Sequence, residues 1–493
     1  MEHKLNTVNE LKKSNGSLMA IILITVLVFV KELTIPFGLL DELWCYNMGR
    51  GIAMGYLPYR DFDIVQMPLY AFVFSVPLMI DRSLIAFRIA SGIFLSVMMS
   101  LIYKIIRDET KHEYALPAAL CCIAIVDFVT YNTLLFLWAL LLYLVNKHKV
   151  SVKRDIILGI LAACCALSRQ TAGSLIIIAE AFVVYLSAPK DNRQRGRAIL
   201  FYLIGVSIPC VVFLVYLLAT SSFNDFWDCC LFSLFGFGEK NNTIFANSIP
   251  LLLIYVAGVA SDIFLYRETK DKNRLYHLIL SVPIVLIALP IVDYMHLIFA
   301  ALWSAIPVAS GIKRFIGKHL QRRIYLLITV MVFVAVMGVS AFNCLGTSLN
   351  GHEPEFKLIP SDESTLIMYS ELGASNRELK ELGYSVNTVS RSAVLISVME
   401  GNYDADIFIR DRVYRLAETD HPEYYDDHGF STLKYVESLC SDRSNLILIP
   451  DNYDTEGWGS QSEPGVYDYV IEHCEPIRSI GMYTYYRPID DGQ

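Results

Sequence analysis

Charge is scarce in this chain of 493 residues. Asp, Glu, Lys and Arg make up 18% of it against 54% apolar residues, too few to cover a soluble protein of that size. A run of independent soluble domains is therefore excluded. There is no basic arm and no basic patch interleaved with aromatics, which excludes a nucleic-acid partner. The eleven cysteines contain no C-x-x-C, so a cysteine-based zinc site has no signature. Cys121-Cys122 and Cys164-Cys165 lie in apolar runs and are expected as small buried side chains. Cys440 and Cys474 lie in the C-terminal part, where a disulfide is open to them, but spacing cannot pair them. The first apolar stretch is not followed by a small-x-small cleavage site, which argues for an anchor over a signal peptide. No internal repeat with matching broken helices is found, as a transporter with its site at the midplane would show.

What the chain does have is long apolar segments. Residues 1–17 are polar with Lys4, Lys12 and Lys13, and Leu18 to Leu40 is long enough to cross a hydrocarbon layer of ~30 Å. Further spans are expected at 83–105, 114–130, 131–146, 155–170, 171–188, 198–219, 248–265, 276–291, 297–312 and 323–343, about eleven in all. Lys and Arg alternate with them. Clusters at 104–111, 147–154, 190–197, 267–274 and 313–323 fall on one side, and only scattered cations on the other. The positive-inside rule then places the N-terminus in the cytoplasm and everything after Cys344 outside the cell membrane. Charge divides accordingly: 30 Lys/Arg against 22 Asp/Glu before Cys344, 11 against 27 from it onward. The expected fold class is mainly α, a polytopic helical bundle (residues 18–343) with an extracytoplasmic α/β domain at 344–493. In that domain 365–369, 393–398 and 445–450 are expected as strands, 371–382 and 466–474 as helices, and 479–486 as a closing hairpin or strand.

Asp41, Glu42, Asp61, Asp63, Asp127, Arg169, Asp225, Asp228, Asp293 and His296 all fall on the outer side in this topology. Ionisable groups beside hydrocarbon are costly, and their one-sided clustering points to an outward-facing site. The centre of it is the first outer loop, 41–82. The stretch PFGLLDELWCYNMGRGIAMGYLPYRDFDIVQMPLY, residues 36–70, carries the acid pair, Tyr59-Arg60-Asp61-Phe62-Asp63, Gln66 and Pro68. Residues 42–54 are expected as a helix on the membrane surface, and 67–80 as a second interfacial or half-inserted helix. The loop 220–247 is long and aromatic, an interfacial loop or a lid. Plainer roles stand beside the functional ones. Asp41 and Glu42 suit a helix N-terminus, Asp61 and Asp63 a turn beside Pro58, Arg169 a helix C-terminus, and His296 with Asp293 a structural hydrogen bond.

The pattern as a whole resembles the GT-C class of multispanning glycosyltransferases, which includes protein O-mannosyltransferases and the aminoarabinose transferase acting on lipid A. The features that carry it are an N-inside span ending in Asp41-Glu42, a long outer loop with G-x-x-P-Y-x-D-F and Pro-Leu-Tyr, Arg88 near the start of the next span, and D-x-x-H-L at Asp293 to Leu297. The resemblance implies an enzyme that takes a sugar from a polyprenyl-phosphate carrier and passes it, with inversion, to an envelope glycan, lipid or protein on the outer face. It makes Asp41 catalytic, with Glu42 as its neighbour. A leaving lipid phosphate calls for cations, expected from Arg169 with Arg60 or Lys31. Tyr59, Asp61, Asp63 and Gln66 are the other expected substrate contacts. Asp293 and His296 are candidate ligands of a divalent metal, which some members of the class use and others do not. The rival from another class is a transporter or lipid flippase with an outer domain.

Overall fold

The computed structural model describes residues 2–34, 40–60, 64, 66–110, 112–126, 129–227, 230, 243–244, 248–289, 291–315, 322–349, 363–389, 422–426, 429–453 and 463–489. In chain order its helices are α1 (Glu2–Thr34), α2 (Leu40–Ala53), α3 (Leu69–Ile80), α4 (Leu84–Glu109), α5 (His112–Ile125), α6 (Tyr131–Asn146), α7 (Val152–Ser168), α8 (Gln170–Ser187), α9 (Asn192–Ala219), α10 (Phe223–Phe226), α11 (Ile249–Thr269), α12 (Lys272–Val285), α13 (Tyr294–Phe315), α14 (Arg322–Leu349), α15 (Glu363–Glu381), α16 (Thr432–Leu439) and α17 (Val466–His473). The strands are β1 (Thr243–Ile244), β2 (Ile291–Val292), β3 (Ser385–Thr388), β4 (Tyr425–Asp426), β5 (Gly429–Phe430), β6 (Asn445–Pro450), β7 (Cys474–Ile480) and β8 (Tyr483–Pro488).

Two compact units emerge, and they cut across the expected boundary at Cys344. Residues 1–36, 83–211 and 243–357 form the first; 37–82, 212–242 and 358–493 form the second, so the first outer loop sorts with the C-terminal part.

A helix stands at each expected span. Among the described residues, six segments are long and apolar enough to cross a membrane: Gly16–Thr34, Ile85–Glu109, Gln170–Ser187, Asn192–Ala219, Ile249–Thr269 and Tyr294–Arg314. Tyr114–Ile125, Tyr131–Asn146 and Leu327–Ser340 are apolar but shorter. Ile85, Ile89 and Ile93 on α4, Ile178 and Phe182 on α8, and Val212, Val215 and Leu218 on α9 face outward uncovered. Contiguous apolar faces of this extent require hydrocarbon, not water. The chain is a multi-pass membrane protein.

Charges that enter the first unit find partners at two opposite ends. At the loop end after α4, Glu109 takes Lys147 at 2.8 Å, Arg274 at 2.7 Å and the Tyr143 hydroxyl at 2.8 Å, while Lys313 donates to its carbonyl at 3.2 Å. Asp262 on α11 binds Arg274 and, at 2.6 Å, Nδ1 of His277, whose ring stacks on Trp303 with centroids 4.4 Å apart. Glu180 accepts from Asn146 at 3.0 Å, and Asn146 in turn accepts from Arg154 at 2.8 Å. At the other end, Glu32 lies 3.6 Å from Arg88, both buried.

In the second unit the sheet order is β3-β6-β8-β7, with β3 parallel to β6 and the other pairs antiparallel. The alternation of β6 sorts its side chains to two faces. Leu446 and Leu448 pack with Leu372 and Leu379 of α15, whereas Ile447 and Ile449 pack with Val436 of α16 and Val466 and Val470 of α17. Residues 445–450 and 466–473 match their expected states, and 474–488 is a hairpin. Residues 365–369, expected as a strand, instead belong to α15. Their strand-like composition is overridden because the segment continues into a helical stretch whose Leu372 and Leu379 pack with Leu446 and Leu448 of the sheet. Residues 393–398 and most of 220–247 lie outside the described residues.

Helices α7 and α9 approach through a pair of glycines. A Cβ on Gly159 would stand 2.1 Å from the Tyr202 carbonyl oxygen, and one on Gly205 would stand 2.2 Å from that of Ile156. Neither backbone can retreat without prising the helices apart. Gly159→Val is therefore expected to lower stability by about 3 kcal/mol, read as a fall in thermal midpoint in detergent. An exposed control, Gly196→Val, meets nothing within 4 Å and is expected to change the midpoint much less.

Candidate functional site

The residues singled out by sequence divide between the two units. Lys31, Arg169, Asp293 and His296 belong to the first; Asp41, Glu42, Tyr59, Arg60 and Gln66 belong to the second.

In the first unit four chain segments meet at one end of the bundle. Helix α1 is described as far as Thr34. Lys31, in its last turn, turns its ammonium onto the C-terminus of α5, donating to the carbonyls of Ile123 at 2.9 Å, Ala124 at 3.1 Å and Val126. Carbonyls at the end of a helix carry its partial negative charge, and a cation is well placed beside them. The Tyr294 hydroxyl donates to the remaining one, Ile125, at 2.7 Å. Beside Tyr294, Asp293 caps α13: its Oδ1 accepts from the His296 backbone N–H at 2.9 Å and lies 2.7 Å from His296 Nδ1.

Arg169 stands at the break between α7 and α8. It is 7% exposed, and its fork is spread across two acceptors: Asn132 Oδ1 at 2.6 Å and the Leu289 carbonyl at 2.9 Å. Its guanidinium also lies 5.7 Å from the centre of the Tyr131 ring, within cation–π range. Arg169 thus ties the start of α6 to the segment that leads into β2 and Asp293. Sequence reasoning missed Asn132 and Tyr294. A signal for the first was present. Thr130-Tyr131-Asn132-Thr133 precedes an apolar run, and Thr130 and Thr133 form a reciprocal capping box, which fixes the backbone that presents Asn132.

In the second unit, α2 forms where the surface helix was expected and packs on α3. Gly49 lets the helices close, since a Cβ there would come within 3.2 Å of Phe74. Glu42 and Arg50 are both buried on α2. Asp41 lies in the first turn of this helix, and its side chain falls outside the described set. The turn after α2 is tight. Pro58 supplies its second position, Arg60 N–H donates to the Leu57 carbonyl at 3.2 Å, and Tyr59 takes a positive φ of 66°. Glycine or asparagine normally fills that third position. A fully buried tyrosine there carries backbone strain that the surroundings must hold in place. They do so at three points: Tyr59 OH donates to the Gln66 carbonyl at 2.9 Å, its ring meets Phe226 edge-on at 5.2 Å, and Tyr216 OH donates to the Pro58 carbonyl at 2.9 Å. Arg60 is exposed. Asp61 and Asp63 lie outside the described residues, as does Asp127.

Among the described residues, no group of three or more His, Cys, Asp or Glu side chains could hold a metal ion. The pair at Asp293 and His296 has its Nδ1 committed to the aspartate, which leaves Nε2 as the ring atom open to a ligand. An aspartate behind a histidine is the usual outer-shell support of a metal-binding imidazole.

No family model and no curated protein matches the sequence. Solved structures do match its fold. ArnT from Cupriavidus metallidurans bound to undecaprenyl phosphate aligns over 97% of this chain and 98% of its own, with a TM-score of 0.56 at 11% identity. The same protein in its apo state gives the same values. The chain has the GT-C fold. The Archaeoglobus fulgidus oligosaccharyltransferase tethered with an acceptor peptide also aligns, over 96% of this chain and 74% of its own, with a TM-score of 0.49 at 12% identity.

Arg169 gives the test of this arrangement. Arg169→Ala strands two acceptors and is expected to cost about 2 kcal/mol, in the range of lost hydrogen bonds to a charged group. Arg169→Lys keeps the charge but cannot span both acceptors and is expected to recover about half of that loss. Thermal midpoints of the two variants beside wild type check this. Equal midpoints for all three would show that the bridge contributes nothing.

Proposed function

We propose that this chain is an integral membrane glycosyltransferase that transfers a sugar from a polyprenyl-phosphate donor to an envelope acceptor, a glycan, lipid or protein on the outer face, with inversion. The observation that carries this reading is the end-to-end match in fold to ArnT, which was solved with undecaprenyl phosphate. The acid pair Asp41-Glu42 at the head of α2, directly after the first span, agrees with it.

The chemistry assigned to the residues follows from the bonds that change. The acceptor hydroxyl attacks the anomeric carbon, and the bond from that carbon to the phosphate oxygen breaks on the opposite face. Asp41 accepts the hydroxyl proton, with Glu42 as the second carboxylate of the pair. The departing lipid phosphate gathers negative charge, and cations answer it better than a proton donor does. Arg169 is suited to that role because Asn132 and the Leu289 carbonyl already fix its plane, so little is lost on ordering it. Arg60 and Lys31 are the further cations. Gln66, Asp61 and Asp63 are assigned to the sugar and acceptor, whereas Tyr59, expected as a contact, is fully buried and acts instead by fixing the turn before them. A bound divalent cation would draw on His296 with Asp293 behind it, and would supply charge neutralisation at the phosphate.

The decisive variant is Asp41→Asn, which keeps the shape and removes the base. Purified protein supplied with undecaprenyl-phosphate sugar and a membrane extract as acceptor is expected to lose transfer by about 10²–10⁴-fold, with expression and thermal midpoint unchanged. Full transfer by the variant would overturn the assignment of the base. Gradient-driven uptake into vesicles by a wild-type protein that transfers no sugar would overturn the enzyme reading itself.

A further inference from the structure

Two cysteines far apart in sequence meet in the second unit. Cys440 is the residue at which α16 ends, and Cys474 is the first residue of β7. Their Sγ atoms lie 3.5 Å apart. Cys474 is buried in the cluster that Ile447 and Ile449 of β6 form with Val436 of α16 and Val470 of α17, and Cys440, half-buried, packs against it. The approach is built by the fold. The last turn of α16 packs on the face of the sheet that carries Ile447 and Ile449, where Cys474 also lies, and β7 is placed there through β8, whose register with β6 and with β7 is fixed. In the nine described cysteines the other vicinal pairs, Cys121-Cys122 and Cys164-Cys165, are neighbours on helices, a spacing that does not suit a disulfide.

We propose that Cys440 and Cys474 are a modification site: they are joined as a disulfide in the working protein, Cys440 being the thiol that reacts first. The reaction is an exchange with the disulfide of a thiol oxidoreductase. Cys440 gives up its proton and attacks one sulfur of the oxidant's disulfide, releasing the other as a thiolate. Cys474 then gives up its proton and displaces the oxidant from Cys440. Two protein thiols are oxidised and one oxidant disulfide becomes two thiols, so electrons and protons balance. The order follows from access. Cys440 is half-buried and reachable, whereas Cys474 is enclosed. Acidity agrees: the Cys440 thiol is held below its ordinary value by its contact with Cys474, while the Cys474 thiol is raised by the same contact and by burial. The bond would close the chain from 440 to 474 into a loop that contains β6 and α17. Its long-range closure restricts the unfolded segment.

The inference does not rest on the glycosyltransferase reading, since it concerns the sheet and the outer, oxidising side that the positive-inside rule leads one to expect for it. The test uses the full chain in native membranes. Free thiols are trapped with N-ethylmaleimide at low pH, and the protein is digested without reductant and analysed by mass spectrometry. The expected result is a linked peptide pair containing Cys440 and Cys474, two hydrogens lighter than the separate peptides, absent from Cys440→Ser and released by reductant. Recovery of both cysteines fully alkylated would overturn the proposal. A second measurement needs no substitution to fold. Reductant is expected to speed proteolysis of the C-terminal region of the wild type by about tenfold or more. An unchanged rate would count against the bond as a structural element.

Discussion

A charge inside a membrane bundle has no water to turn to, and this condition orders the first unit. Its ionisable side chains are gathered at the two ends of the helices, and those with described partners are answered there. Glu109 alone engages Lys147, Arg274, Tyr143 and the hydroxyl of Ser310, drawing α4, α6, α12 and α13 into one node. Such buried pairs contribute little net stability, because removing ions from water costs about as much as their attraction returns. What they do fix is register. Sliding α4 by a turn would separate Glu109 from every partner at once, whereas a purely apolar interface would tolerate the shift. The glycine contact of α7 with α9 fixes distance in the same way that Glu109 fixes register.

The opposite end is answered differently. There Lys31 and Arg169 are turned onto oxygens that the backbone leaves over at breaks between helices: the last carbonyls of α5 and the Leu289 carbonyl before β2. The breaks are as much part of the arrangement as the side chains. Arg169 can reach Leu289 because α7 and α8 are separated by a single extended residue, Arg169 itself, with φ −153° and ψ 120°. Tyr294 closes the same region from α13. A set of helix ends tied together by cations is a rigid frame for a site, and rigidity is what phosphate recognition by arginine rewards.

Much of this was legible in the sequence where one physical signal dominated. Apolar runs bounded by Lys/Arg clusters located the helices, with Tyr131–Asn146 placed to the residue and Gln170–Ser187 within one. Gly383 marked the end of α15. The short apolar run from Leu446 to Ile449 gave β6, and it is apolar throughout because both its faces are covered by helices. Signals that compete were misjudged. Thr365 to Tyr369 has strand composition, but composition is a weak preference beside the helix that Leu372 and Leu379 extend. The grouping of the first outer loop with the C-terminal part was invisible, because it depends on contacts between segments hundreds of residues apart. So was the meeting of Cys440 with Cys474, which only the register of β6, β7 and β8 decides.

The residues of the candidate site show the same divide between type and role. Sequence could say that Lys31, Arg169 and Asp293 are expensive at a membrane edge and so must serve a purpose. It did offer the hydrogen bond of Asp293 with His296, which forms, but it could not say that Lys31 caps a neighbouring helix, that Arg169 bridges two loops, or that Asp293 also caps α13. These framing roles and the proposed catalytic ones are compatible for a physical reason. A guanidinium presents its donors in one rigid plane, and the bonds to Asn132 Oδ1 and the Leu289 carbonyl set that plane, which is the property that phosphate recognition needs. Tyr59 makes the complementary case on the second unit. Its positive φ would be relieved by glycine, yet the chain keeps a ring there, anchored at its hydroxyl by the Gln66 carbonyl and at its edge by Phe226. Strain retained beside proline and held by contacts from α10 defines the shape of the Leu57–Arg60 turn, and that shape sets where Arg60 leaves the surface.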